Sequence, residues 1–78
     1  MIYRVYVNFK KGILDPEAEA INKTIVNMGI KSVIGISKGK FFDIKVNNNK
    51  NNLKDIEKIS IELLSNPIIE NFKIIKKN

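Results

Sequence analysis

Residues 34–46 read Ile-Gly-Ile-Ser-Lys-Gly-Lys-Phe-Phe-Asp-Ile-Lys-Val, and no other stretch of the chain constrains its fold as tightly. Side chains of an extended chain point alternately to opposite faces, so a period of two marks a strand with one buried side. On the second arm Phe42, Ile44 and Val46 share one face, and Phe41, Asp43 and Lys45 share the other. On the first arm, Lys31 to Lys38, the core pair is Ile34 and Ile36. Gly39 sits between the arms as the turn residue, because it tolerates positive φ. Gly35 marks a bulge or a close backbone approach. The stretch predicts a β-hairpin in the middle of the chain.

The segments on either side of this hairpin are helical. Asp15-Pro16-Glu17 is a helix start: Asp accepts hydrogen bonds from the free amides of the first turn, and Pro lacks the N–H that would be unpaired there. Glu17 and Glu19 favour the positive end of the helix dipole. Leu14, Ala18, Ile21, Ile25 and Met28 recur at spacings of three and four, which predicts one buried stripe. Gly29 ends this helix in a left-handed conformation. The second helix is expected from Leu53 to Ser65, with Asn52 as its N-cap and Leu53, Ile56, Ile59, Ser60, Leu63 and Leu64 on its buried side. Pro67 stops it by pushing Asn66 out of the helical region. The five Asn between positions 47 and 52 read as a surface loop.

Two further strands close the pattern. Ile2 to Phe9 places Tyr3, Val5, Val7 and Phe9 on one face, with Ile2, Arg4, Tyr6 and Asn8 on the other. Lys10-Lys11-Gly12 ends it. Ile69 to Ile75 is the last strand, with Phe72 and Ile74 inward. The order βαββαβ defines an α+β, ferredoxin-like sandwich: a four-stranded antiparallel sheet in the order 4-1-3-2, with both helices on one face. Seventy-eight residues make a single domain, 1–78. The face away from the helices would carry Ile2, Tyr6, Phe41, Ile69 and Ile75, diluted by charged and amide side chains. That is more apolar surface than a small monomer usually exposes, so another chain is expected to cover part of it.

What the chain lacks narrows its function. There is no Cys and no His, which removes disulfides, thiolate metal sites, the commonest metal ligand and the commonest general base. The start has no basic region followed by a long apolar run, and no apolar stretch approaches a bilayer span, so a cytoplasmic protein without membrane attachment is expected. The Asn22-Lys23-Thr24 glycosylation triplet then reads as chance. The net charge is +6, from 14 Lys and Arg against 8 Asp and Glu. The lysines are spread along the chain and Arg4 is the one arginine, whereas a nucleic-acid footprint is clustered and uses Arg for bidentate grips. A solvated surface is the plainer reading of the charge. A small basic nucleic-acid-binding module is the alternative, and a ligand-sensing regulatory domain of the ACT type is a third. No phosphate-binding glycine loop occurs, and no carboxylate pair stands at catalytic spacing.

Several short motifs, in order, carry a family resemblance. They are Gly12-Ile13-Leu14-Asp15-Pro16, Met28-Gly29, Gly39-Lys40-Phe41-Phe42, and Leu63-Leu64-Ser65-Asn66-Pro67-Ile68-Ile69-Glu70-Asn71-Phe72. Over nearly its whole length the chain resembles the PurS family, the small subunits of phosphoribosylformylglycinamidine synthase. Ala18 departs from the Gly that the family often has there; Ala is the better helix former. The resemblance implies a non-catalytic subunit of a glutamine-dependent, ATP-consuming ligase of purine synthesis. It implies homodimers or homotetramers, and assembly with a glutaminase subunit and a large synthetase subunit that use glutamine and ATP, while this chain binds no cofactor. It also implies a bridging role that assists ammonia transfer. The residues expected at partner interfaces are Gly39, Lys40, Phe41, Asn66, Pro67 and Glu70. Gly39 would shape the turn, Lys40 pair with an acidic patch, and Asn66-Pro67 fix the approach of the last strand.

Overall fold

The computed structural model describes residues 1–47 and 52–77. The elements run β1 (Ile2–Phe9), α1 (Pro16–Asn27), β2 (Gly39–Lys45), α2 (Asn52–Ile59) and β3 (Glu70–Lys76), with a π-helical turn at Ser60–Leu64 continuing α2. The sheet is antiparallel in the order β2-β1-β3. The register places Val5 opposite Phe42 and Ile74, and Tyr6 opposite Phe41 and Lys73. Of the loop expected at 47–52, residues 48–51 lie outside the described set.

The helix-facing side of the sheet is the core. Val5, Val7 and Ile56 are fully buried, and Tyr3, Phe42, Ile44, Val46, Leu64, Phe72 and Ile74 pack around them. The alternation read from the three strands therefore places the inward side chains correctly. Asp15 caps α1 as expected, accepting from the amides of Glu17 (3.0 Å) and Ala18 (3.4 Å), with Pro16 in the first turn. Gly29 has φ +83° and Gly12 has φ +89°, the left-handed values that favour glycine at a helix end and a strand-ending turn.

Three expectations are corrected. The sheet has three strands among the described residues, not four. The order of the three is the anticipated one, but residues 31–38 form no strand, and Ile34 is fully exposed (101%). Period-two patterning records a segment shaped for pairing; it does not guarantee a partner within the same chain, and Ser32 and Gly35 weaken local strand preference. The second correction concerns α1. Ala18 is its one buried residue among those described, while Leu14 just ahead of it (74%) and Met28 just after it (67%) are open. The apolar stripe is present, yet α1 does not bury it.

The third correction concerns the second helix. Ile56 and Ser60 are buried, but Leu63 is 77% exposed. A π turn holds more residues per turn than an α turn and shifts the phase of everything after it. The Ser65 amide donates to Ser60 O (3.1 Å), the i→i+5 bond of that turn. Ser60 Oγ donates to Ile56 O, and Ser65 Oγ to Ser60 O, each at 2.7 Å. These hydroxyls hold the wider turn and swing Leu63 out of the core.

The molecule is elongated. Its extents are 52 × 26 × 14 Å and its radius of gyration is 16.2 Å, where a compact chain of this length would have about 11.5 Å.

Candidate functional site

The register brings the two halves of the expected interface to one end of the sheet. Near the end of β1, Val7 pairs with Lys40, Asn8 with Gly39 and Asn71, and Phe9 with Glu70. A small cavity of about 130 Å³ there is lined by residues that include Asp15, Lys38, Gly39, Lys40 and Glu70. Gly39 opens β2 where a side chain could not fit: a Cβ would stand 2.8 Å from Val7 O and 3.2 Å from Asn8 Cβ. Close strand approach, rather than positive φ, is what this glycine serves.

Lys40 and Phe41 lie on opposite faces, as successive strand residues must. Lys40 lies on the core side, its Nζ 5.8 Å from the Phe42 ring. Phe41 lies on the outer face, half exposed. Asn66, Pro67 and Glu70 form a closed turn. The Glu70 amide donates to Asn66 O (2.7 Å), the Asn66 amide donates to Glu70 Oε1 (2.7 Å), and the Ile68 amide donates to Asn66 Oδ1 (3.1 Å). Glu70 and Asn66 thus satisfy one another and set the entry of β3.

The outer face holds a cluster that sequence reading left scattered. Arg4 grips Asp43 with both ends of its fork, Nε–Oδ1 2.8 Å and Nη2–Oδ2 2.9 Å. Its guanidinium also lies 3.9 Å from the Phe41 ring centre, and Tyr6 stands beside that ring at 6.1 Å. The Arg4 hydrogen bond is the main reason the Asp43 carboxyl is held below its usual range, against the opposing effect of partial burial. Asp43 in turn raises the Arg4 guanidinium further. The signal was available: Arg4, Tyr6, Phe41 and Asp43 share the outer face by period two, but sequence alone does not give the β1–β2 register that puts Arg4 opposite Asp43.

Asp15 does more than cap α1. Its Oδ2 lies 3.3 Å from Lys38 Nζ. Burial pushes this carboxyl up, but the amides of Ala18 and Glu17 and the Lys38 ammonium outweigh it, so its pKa is lowered overall. Among the described residues no group of three His, Cys, Asp or Glu could hold a metal, and no helix is long and apolar enough to cross a membrane. The region gathers aromatic rings, locked ion pairs and lysines.

The chain is similar to known proteins over nearly all of its length. The PurS family profile, described as phosphoribosylformylglycinamidine (FGAM) synthase, matches residues 2–78. A relative from Archaeoglobus fulgidus, phosphoribosylformylglycinamidine synthase subunit PurS, is 35% identical over 77 residues, covering 96% of each chain. The crystal structure of PurS from Methanocaldococcus jannaschii superposes with a TM-score of 0.81 at 28% identity, covering 95% of this chain and 92% of that one. It is described as one of the subunits of formylglycinamide ribonucleotide amidotransferase in the purine biosynthetic pathway. A chain of PurLQS from Thermotoga maritima shares the fold, with a TM-score of 0.67 at 19% identity, covering 96% of each chain.

Proposed function

The chain belongs to the PurS family, and on that premise we propose that it is the docking subunit that bridges the glutaminase and synthetase subunits of phosphoribosylformylglycinamidine synthase and assists ammonia transfer between them. It is a subunit of that synthase in purine biosynthesis and is not an enzyme on its own. Glutamine and ATP are handled by the partner subunits in this reading, the chain binds neither, and the assembly works in the cytoplasm.

The observation that carries the reading is surplus surface. The chain exposes 6276 Å², where a compact monomer of 8.9 kDa exposes about 4,800 Å². The excess is about 1,500 Å² per chain, and a pair burying it would reach the range of obligate dimers, about 2,000–5,000 Å² in total. Much of the exposed apolar area lies on α1 and the segment after it: Ile21 (40%), Val26 (60%), Met28 (67%) and Ile34 (101%). Neighbouring protein is what such a surface is built to meet. A second copy covers α1 and the segment after it, giving a homodimer or a homotetramer. Gly39, Lys40, Phe41, Asn66, Pro67 and Glu70 lie in or beside the contact with the other subunits.

Reconstitution tests this. Mixed with candidate glutaminase and synthetase subunits, the chain should co-elute with both and restore glutamine-dependent synthesis. A synthase that runs equally well on glutamine without it would refute the bridging role.

A further inference from the structure

Beyond the α1 surface, the outer face of the sheet has a chemistry of its own. It is a grid of three strands. One row carries Asp43, Arg4 and Ile75, the next Phe41, Tyr6 and Lys73, and the last Gly39, Asn8 and Asn71. An open groove of about 530 Å³ runs along this face and past the start of β2. Phe41 and Tyr6 line it with Lys38, Lys40 and Lys73, and no carboxylate is among its lining residues. Lys38 is held by Asp15, whereas Lys45 and Lys73 have no carboxylate within salt-bridge distance among the described residues. Lys45 lies on the same face one row beyond Asp43, and Lys77 lies close enough to Asp43 to act on its charge. The single acid, Asp43, is already consumed by Arg4.

We propose that this face docks an acidic segment of a partner subunit, which sets an apolar side chain on Phe41 and Tyr6 and its carboxylates on Lys45 and Lys73. The proposal rests on the subunit role above and adds the chemistry of the contact. Three observations select this occupant. A pre-set aromatic pair stiffened by Arg is the composition of an interface anchor, because little side-chain freedom is left to lose. The unpaired charge is of one sign, which fits an acidic surface and disfavours self-packing, since a two-fold copy would bring Lys45 and Lys73 towards lysines of its own kind. The one arginine of the face, Arg4, is locked in a bidentate pair with Asp43 and is not free to grip a phosphate, which disfavours nucleic acid.

The test uses the full chain with the glutaminase and synthetase subunits. Two variants probe the face independently: Phe41→Ala, and the double change Lys45→Glu with Lys73→Glu. Each is first checked for unchanged circular dichroism and unchanged homo-oligomer mass. The expected result is at least a tenfold weaker affinity for the partner subunits, with the double variant also flattening the fall of affinity with salt. Affinity within twofold of the parent chain for both variants overturns the proposal. Loss of the homo-oligomer, with partner affinity intact, overturns it in favour of a second copy. Tight binding of a labelled single-stranded oligonucleotide at physiological salt, abolished by the same variants, overturns it in favour of nucleic acid. A parent chain that binds neither subunit refutes the docking function itself and this contact with it.

Discussion

The carboxylate of Asp15 joins two parts of the chain that share no strand pairing: it caps α1 through the amides of Glu17 and Ala18 and reaches Lys38 Nζ at 3.3 Å. The segment after α1 is thereby tied back to the helix start, one residue before β2 begins. Gly39, the next residue, is paired with Asn8 and packs against Val7 O.

Acid should loosen this arrangement in a defined window. Asp15 and Asp43 both have pKa values below their ordinary 3.8 in the folded chain. A carboxyl with a depressed folded pKa contributes stability that is complete above its unfolded pKa and is lost as pH falls through the folded one. Stability should therefore hold down to about pH 4 and then decline. Chemical denaturation of the parent chain, Asp15→Asn and Asp43→Asn between pH 2 and 7 checks this: each variant should have a lower midpoint at neutral pH and a shallower acid decline. An acid decline as steep in both variants as in the parent would contradict it.

Gly39→Ala should destabilise the sheet end by about 1–3 kcal/mol, the usual cost of overpacking. The added carbon would meet Val7 O at 2.8 Å, and a backbone atom in a paired strand has little room to give way. Urea denaturation reads the change, and a stability equal to the parent's would show that the strands separate easily there.

Ile56→Ala should cost about 2–5 kcal/mol, because the side chain is 1% exposed and fills the gap between α2 and the sheet. Leu63→Ala, seven residues later, should cost far less in the isolated chain, since Leu63 is 77% exposed. Measured side by side, the two separate a core position from one that the π turn has turned outward. Equal losses would place Leu63 in the core after all.

Much of the fold was legible because local chemistry forces it. Asp15-Pro16 and Gly29 bracket α1, and the alternation in β1, β2 and β3 selects the core side chains Val5, Val7, Phe42 and Ile74. The segment holding Ile34 and Ile36 was misread because an extended apolar pattern says nothing about whose strand it will meet. Leu63 was misplaced because the switch from α to π geometry depends on Ser60 and Ser65 finding specific carbonyls. The gathering of residues at the sheet end was partly legible. Gly39, Lys40 and Glu70 do gather at one sheet end, but the Arg4–Asp43–Phe41 cluster needs the inter-strand register, which follows from packing across the whole sheet.

Met28→Glu together with Ile21→Glu should weaken self-association without unfolding the chain. Both side chains lie along the same open apolar depression of α1, and neither is buried. Charging them costs little while they face water, but much once they face another chain. Sedimentation velocity over a concentration series should show the variant dissociating where the parent does not. Dissociation at the same concentration as the parent would remove α1 from the self-contact.

The mass of the isolated chain in solution bears most directly on the whole account. Sedimentation equilibrium should return two or four times the 8.9 kDa of one chain, with the surplus surface of α1 and the segment after it covered by neighbouring copies. A mass of one chain that persists at high concentration would mean this apolar surface stays wet, and would contradict the account.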